Sequence, residues 1–382
     1  MKRQLEGNDL NSLIVSSSVD NLSFADFTNQ IHRDAGIADF APDAVCQIDP
    51  RNRERIVYNS KRAKRPHDNR PADESASAPA EKPCVICEGK TTGIMDLAPL
   101  SEGCTFINKN LFPILYPESK PISSADSVLD NPLSSVEGAH SHGFHFLQWT
   151  SSLHHKDWQN MPVEDGAVAI SRLGALEKSL LYAKDSPMDS NNSWGDKDTR
   201  GYVSIIKNYG RLVGGSLEHG HQQIAYSNII PKKFEDNLRF YREYGITFSE
   251  YMQSNNPQNL MIKDYKNAVL MVPYFMRRPY DLMLFIKNTQ SRYLHELNKD
   301  EQKDMAAGFK DAISIILSIM PKIGREPAYN VVVHNGPGAG IYVEFLPYTQ
   351  EWGGYEHAGL ILCQSNPDDV TGLIKKELSQ FL

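Results

Sequence analysis

Apolar residues recur at helical spacing in two stretches of this chain. Over Glu301–Met320 they fall at Phe309, Ile313, Ile316 and Met320, and Asn298 with Glu301 three residues on forms a capping-box pattern at the start. Val163–Lys184 places Val168, Leu173, Leu176 and Leu180 at similar spacing with little proline, which predicts a second helix. Short β-type runs occur at Tyr202–Lys207, Ala268–Val272, Leu282–Ile286, Tyr329–Val333, Ile341–Leu346 and Gly359–Cys363, with a further short run at Arg55–Tyr58. Strands and helices mix without regular alternation, so the expected class is α+β rather than a doubly wound parallel sheet. The longest apolar run, Ala268–Met276, is strand-sized. No stretch approaches the roughly 18 apolar residues of a membrane-spanning helix. Polar stretches rich in Pro, Ser or charge at Lys61–Pro83, Pro117–Gly138 and Asp185–Gly201 are expected to be loops, and residues 1–45 carry no strong motif.

Composition narrows the classes further. The 382 residues include 40 Lys and Arg against 47 Asp and Glu, a formal charge of −7, with 40% hydrophobic and 23% charged residues. That balance is ordinary for a globular chain and excludes a disordered or collagen-like one. No positive field is present to attract a nucleic acid, although a small anion held by a few local cations is compatible with it. The N-terminus lacks the continuous apolar segment of a secretory signal, and five scattered cysteines do not suit a disulfide scaffold. The expectation is a cytoplasmic protein without membrane or nucleic-acid partners.

Candidate chemistry concentrates in three motifs. The segment Tyr202–Pro231 contains a Gly214-Gly215-Ser216 turn followed by His219, His221 and Gln223 at a spacing of two. In an extended stretch these three side chains share one face, and the turn can offer backbone N–H groups and a hydroxyl to a phosphate. An isolated His-x-His is also compatible with a hydrogen-bonded surface pair. The second motif is Cys84-Val-Ile-Cys87. A Pro-rich flank disfavours a redox pair, leaving half of a tetrahedral zinc site or two unligated thiols, and His154 and His219 would complete a Cys₂His₂ set. The third, Arg62-Ala-Lys-Arg65, reads as a solvated basic loop or as arginines for a diphosphate.

The motifs in this order resemble the galactose-1-phosphate uridylyltransferase family of the histidine-triad superfamily. The resemblance runs from Asp49-Pro50 through the Arg-Ala-Lys-Arg-Pro run, the CxxC, Phe106–Pro117, the His219–Gln223 segment and Phe345–Glu356. It implies two histidine-triad-like halves, each an antiparallel sheet with packed helices, at 49–232 and 233–382, preceded by an N-terminal extension at 1–48. It implies that His221 takes a nucleoside monophosphate from a nucleoside diphosphate sugar, UMP by default, and passes it to a sugar 1-phosphate. Gln223, Asn208, Gly214, Gly215 and Ser216 match phosphate-contacting positions, Arg62 and Arg65 the diphosphate arginines that can come from a partner subunit, and Asn110 and Phe112 the nucleotide segment. Tyr355 and Glu356 match hexose contacts. Cys84, Cys87, His154 and His219 match a structural zinc site, with His155, His145, His142 and His140 close rivals of His154. A homodimer is implied as well.

The sequence departs from the family pattern in two places. Gly220 stands where proline is usual, which predicts looser positioning of His221. Tyr342-Val343-Glu344 replaces a His-x-His before Leu346-Pro347, so a second metal site is expected to be lost. Asn335–Pro347 reads as a decayed echo of the catalytic segment. Two rival functions share the same residues: phosphorolysis or hydrolysis of a nucleotide sugar or dinucleotide, and nucleotide binding without catalysis.

Overall fold

The computed structural model describes residues 12–64, 84–117, 138–191 and 196–380. Thirteen strands occur among them. They are β1 (Val45–Ile48), β2 (Arg55–Val57), β3 (Ile94–Pro99), β4 (Cys104–Lys109), β5 (Gly138–His140), β6 (Gly143–Trp149) and β7 (Tyr202–Tyr209). The second half adds β8 (His221–Ser227), β9 (Met261–Asp264), β10 (Ala268–Met271), β11 (Leu282–Ile286), β12 (Tyr329–His334) and β13 (Tyr342–Pro347).

Ten strands make one sheet in the order β3-β4-β6-β8-β7-β12-β13-β11-β10-β9, and β2-β1-β5 make a second, small one. Every ladder is antiparallel. The large sheet has a pseudo-twofold order about the β7–β12 pairing, five strands on each side, with hairpin β7–β8 mirrored by β12–β13. The fold is therefore α+β, with two antiparallel five-stranded halves joined in one continuous sheet.

The two helices expected from periodicity form at Val163–Leu181 and Lys299–Lys322. The second is capped as its pattern predicts: Asn298 Oδ1 accepts from the backbone of Asp300 and Glu301, while Glu301 Oε2 accepts from Asn298 N. Both helices lay their apolar stripes on the sheet in one core that includes Ile170, Leu173, Ile205, Phe309, Ile313 and Val331, drawn from both halves. Each such side chain contributes about 1.5–3 kcal/mol by leaving water. A smaller cluster on the opposite face, Ile86, Ile94, Cys104, Phe106, Leu147 and Trp149, lies under the site described below.

Two features differ from the sequence pattern. Gly359–Cys363 is not a strand. Gly359 has φ +93°, Leu360 and Leu362 are exposed, and Leu362 N bonds to Glu356 Oε1 instead of a ladder partner. Near the N-terminus, where no motif was legible, Ser23 and Asp26 cap a helix at Phe24–His32. Its Phe27 packs on Phe144 and Phe146 at 5.7 and 5.5 Å. The loops expected at Lys61–Pro83 and Pro117–Gly138 lie largely outside the described residues, as does Arg65. Among the described residues no helix is long and apolar enough to cross a membrane.

Candidate active site

His221 opens β8 directly opposite Trp149 of β6, and β6 pairs on its other side with β4. Because successive strand residues face opposite ways, His221 and Gln223 share a face with Leu147 and Trp149, while Gln222 points into the other layer. There Gln222 is consumed structurally: its Oε1 accepts from Thr150 Oγ1 and Trp158 Nε1, and its Nε2 donates to Gln148. Over the first face lies a cavity of about 530 Å³, whose lining includes His221, Gln223, Ser216, Asn110 and Phe112.

The His221 ring is held in one tautomer. Its Nδ1 lies 2.9 Å from the carbonyl oxygen of His219. A carbonyl only accepts, so Nδ1 carries the proton in this bond and Nε2 is the other ring nitrogen. The Trp149 ring lies 5.0 Å from His221 and 5.3 Å from His219, and its Nε1 donates to Asn108 Oδ1 at 2.7 Å. Nothing local in the sequence marks Trp149, because its role comes from the register between β6 and β8. Thr91 and Thr92 on the cavity wall carried no motif either.

Gly220 is not a loosened proline. A Cβ built there would lie 2.4 Å from Asp157 Cγ and under 3 Å from both carboxylate oxygens. Asp157 is buried and paired with buried Lys207 at 2.7 Å, and Gly220 O accepts from Thr150 N at 3.0 Å. The backbone before His221 is therefore clamped by packing rather than by a pyrrolidine ring. Gly215 has a similar cause: its N–H donates to Gly210 O at 2.9 Å, an approach so close that a side chain at Gly215 would overlap Gly210.

Beside this cavity the ligand atoms of Cys84, Cys87, His154 and His219 lie within 4.8 Å of one another. His219 Nδ1 faces both sulfurs at 3.6 and 3.7 Å, and His154 Nδ1 faces Cys87 at 3.6 Å. His219 Nε2 donates to Ser151 O at 2.8 Å, a bond that fixes the ring with Nδ1 turned inward. Burial pushes the His219 pKa down to about 4, so the ring is neutral at physiological pH. Two thiols and two imidazole nitrogens converging at this spacing suit zinc. The cluster takes His154 rather than His155, His145, His142 or His140.

Other residues singled out by resemblance are placed differently. Asn110 spends its side chain inside the chain, its Nδ2 on His145 and its Oδ1 on Phe112 N. Arg62 donates to Phe112 O at 3.2 Å, within its own chain. Asn208 Oδ1 accepts from Asn330 on the neighbouring strand. Gly214, at φ +83°, and Gly215 form the turn that delivers Ser216. Tyr355 is 65% exposed and does not line the cavity, and Glu356 closes its own loop by accepting from Gly353 N and Leu362 N. In the second half the position of the missing His-x-His is filled by Tyr342 stacked on His334 at 4.3 Å, with Glu344 Oε2 bonded to His334 Nε2 at 2.7 Å.

No protein-family model matches the chain. ADP-glucose phosphorylase of Arabidopsis thaliana is 22% identical over 351 residues, 86% of this chain and 91% of that protein. Galactose-1-phosphate uridylyltransferase of Cryptococcus neoformans is 22% identical over 310 residues, covering 73% and 74%. Among solved structures, a uridylyltransferase superposes with a TM-score of 0.66 at 17% identity, over 88% of this chain and 99% of its own. These findings agree with the resemblance read from the motifs, at the distance of a divergent member.

Proposed function

We propose that this chain, a divergent relative of the galactose-1-phosphate uridylyltransferases, moves a nucleoside monophosphate from a nucleoside diphosphate sugar to a sugar 1-phosphate through a covalent nucleotidyl-histidine. The observation that carries the reading is His221 on the cavity wall with its Nδ1 donating to His219 O, which makes Nε2 the ring nitrogen for attack. In the first half-reaction Nε2 attacks the α-phosphorus. An N–P bond forms as the bond to the bridging oxygen breaks, and the sugar 1-phosphate departs with that electron pair. In the second half-reaction another sugar 1-phosphate attacks the same phosphorus and returns the lone pair to the ring. Ser216 and Gln223, on the same cavity, are the donors for the charge that develops on the equatorial oxygens.

Cys84, Cys87, His154 and His219 would hold a zinc ion. With four protein donors and no open position, the metal supplies an anchor rather than a Lewis acid, tying the CxxC turn to the residue two before the nucleophile. The reading includes a cytoplasmic homodimer in which Arg62 and Arg65 serve the partner's diphosphate site.

A second reading has support of its own. The relative covering 86% of this chain is an ADP-glucose phosphorylase, which favours an adenylyl group and inorganic phosphate as acceptor. Both readings use His221 and differ in the acceptor. Incubation with UDP-glucose or ADP-glucose, together with galactose 1-phosphate or inorganic phosphate, separates them by product. A new nucleotide sugar identifies transfer, and a nucleoside diphosphate identifies phosphorolysis. Tight nucleotide binding with neither product nor adduct overturns both in favour of a silent binding module.

A further inference from the structure

The N-terminal segment, outside the region of resemblance, supplies one wall of the nucleotide cavity. Asp34 is among the lining residues, on the turn that follows the helix Phe24–His32. That turn is fastened to the loop after β4. Phe40 packs on Phe112 at 4.5 Å. A Cβ at Gly36 would touch both Asp34 Oδ1 and Leu111 Cδ1 at 3.4 Å, so the carboxylate and the leucine lie side by side. Lys109, its side chain 5% exposed, holds the turn from beneath, with Nζ 3.0 Å from Gln30 O and 3.5 Å from Asp34 Oδ2.

The position of this carboxylate decides what it can meet. Phe106 is level with Trp149 and His221 across the sheet, whereas Lys109 is level with Phe146 and Ile224. Three residues along the strand and two strands across put Lys109 on the order of 14 Å from His221, Cα to Cα. An anion so placed lies away from the phosphates, which it would repel, and toward the nucleoside. A carboxylate only accepts hydrogen bonds, so its ligand must bring a donor. A nucleoside has two kinds, the ribose hydroxyls and the base N–H groups.

We propose that Asp34 is a specificity residue of the nucleotide site, accepting a hydrogen bond from the nucleoside moiety through a turn contributed by residues outside the family-like region. The proposal rests on the nucleotidyl-transfer reading above. It gives the N-terminal segment a task beyond packing, since removal of the turn would take away the one acidic group among the described residues of this cavity wall.

Calorimetric binding tests it without requiring turnover. UMP and AMP are titrated into the full chain, followed by their 2′-deoxy and 3′-deoxy forms and by N3-methyl-UMP and N6,N6-dimethyl-AMP. If neither UMP nor AMP binds at millimolar concentration, the nucleotide reading itself fails. If one binds, the proposal expects at least one donor-deleted analogue to bind roughly tenfold more weakly, in line with loss of a charge-assisted hydrogen bond. Loss with the deoxy forms assigns the ribose, and loss with the methylated bases assigns the base. Asp34→Ala should bind the parent nucleotide as weakly as the native chain binds that analogue, with no further loss on combining the two. That coupling is something a purely structural defect would not produce. Asp34→Asn, which keeps the shape and one acceptor oxygen, should lose less and serves if Asp34→Ala does not fold. Equal affinity of the native chain for every analogue, or additive losses in the cycle, overturns the proposal.

Discussion

The Cα of Gly220 is pressed against the carboxylate of Asp157, so closely that a methyl group there would come within 2.4 Å of Asp157 Cγ. This contact explains why the position next to His221 carries glycine. The carboxylate cannot retreat cheaply, because it is buried against Lys207. Gly220→Ala and Gly220→Pro are both expected to destabilise, by about 1–3 kcal/mol as overpacking does. Urea unfolding midpoints check this. A proline that is tolerated without loss would show that the clamp is not present.

Trp149 touches both histidines and is tied to Asn108, so it sets the orientation of the His221 ring. Trp149→Phe keeps most of the contact and loses the hydrogen bond, and Trp149→Ala loses both. The expected order of kcat is native, Phe, then Ala. The Ala variant should be about 10²-fold slower, the scale of a misplaced reacting group. Steady-state kinetics should show the loss mainly in kcat.

Metal content provides an independent check. Elemental analysis of the purified chain should give one zinc per polypeptide, and Cys84→Ser or His154→Ala should lose it. Since the donors join the CxxC turn to the residues that lead into β8, removal by a chelator should lower the melting temperature by several degrees or more. Thermal scans with and without chelator measure this. Unchanged melting after complete metal removal would mean that the cluster does not anchor the strand.

Asp281 offers a pH prediction. It is buried, and desolvation raises its pKa from the ordinary carboxylate range to about 7, against the lowering effect of Arg278. The folded chain therefore binds the proton more tightly than the unfolded chain. Stability from this group is full below about pH 4 and declines as pH rises toward 7. Asp281→Asn should flatten that part of the stability curve, and urea unfolding at pH 5 and pH 8 reads the difference.

What the sequence disclosed depended on how local the signal was. The long helices announced themselves by period and cap, and the paired cysteines and His219–Gln223 were legible because their chemistry is carried by spacing of two and three residues. His154 could be put forward among its neighbours, although only the folded geometry separates it from His155. Trp149 and Asp34 were not legible, because each meets the cavity through strand register or through a turn distant in sequence. Asn110 and Glu356, put forward by resemblance, both bond within the chain, Asn110 to His145 and Phe112 and Glu356 to Gly353 and Leu362, which no local spacing announces. The apolar run at Gly359–Cys363 misled because alternation alone cannot supply a neighbouring strand.

The central claim is covalent attachment at one ring nitrogen, and intact-protein mass spectrometry addresses it directly. The native chain and His221→Ala are each exposed to UDP-glucose and to ADP-glucose without acceptor, then quenched at alkaline pH to preserve a phosphoramidate. The account predicts a mass increase of one nucleoside monophosphate on the native chain with at least one donor, erased by added sugar 1-phosphate or phosphate, and none on the variant. An adduct of the same size and yield on His221→Ala, or turnover by that variant at the native rate, would contradict it.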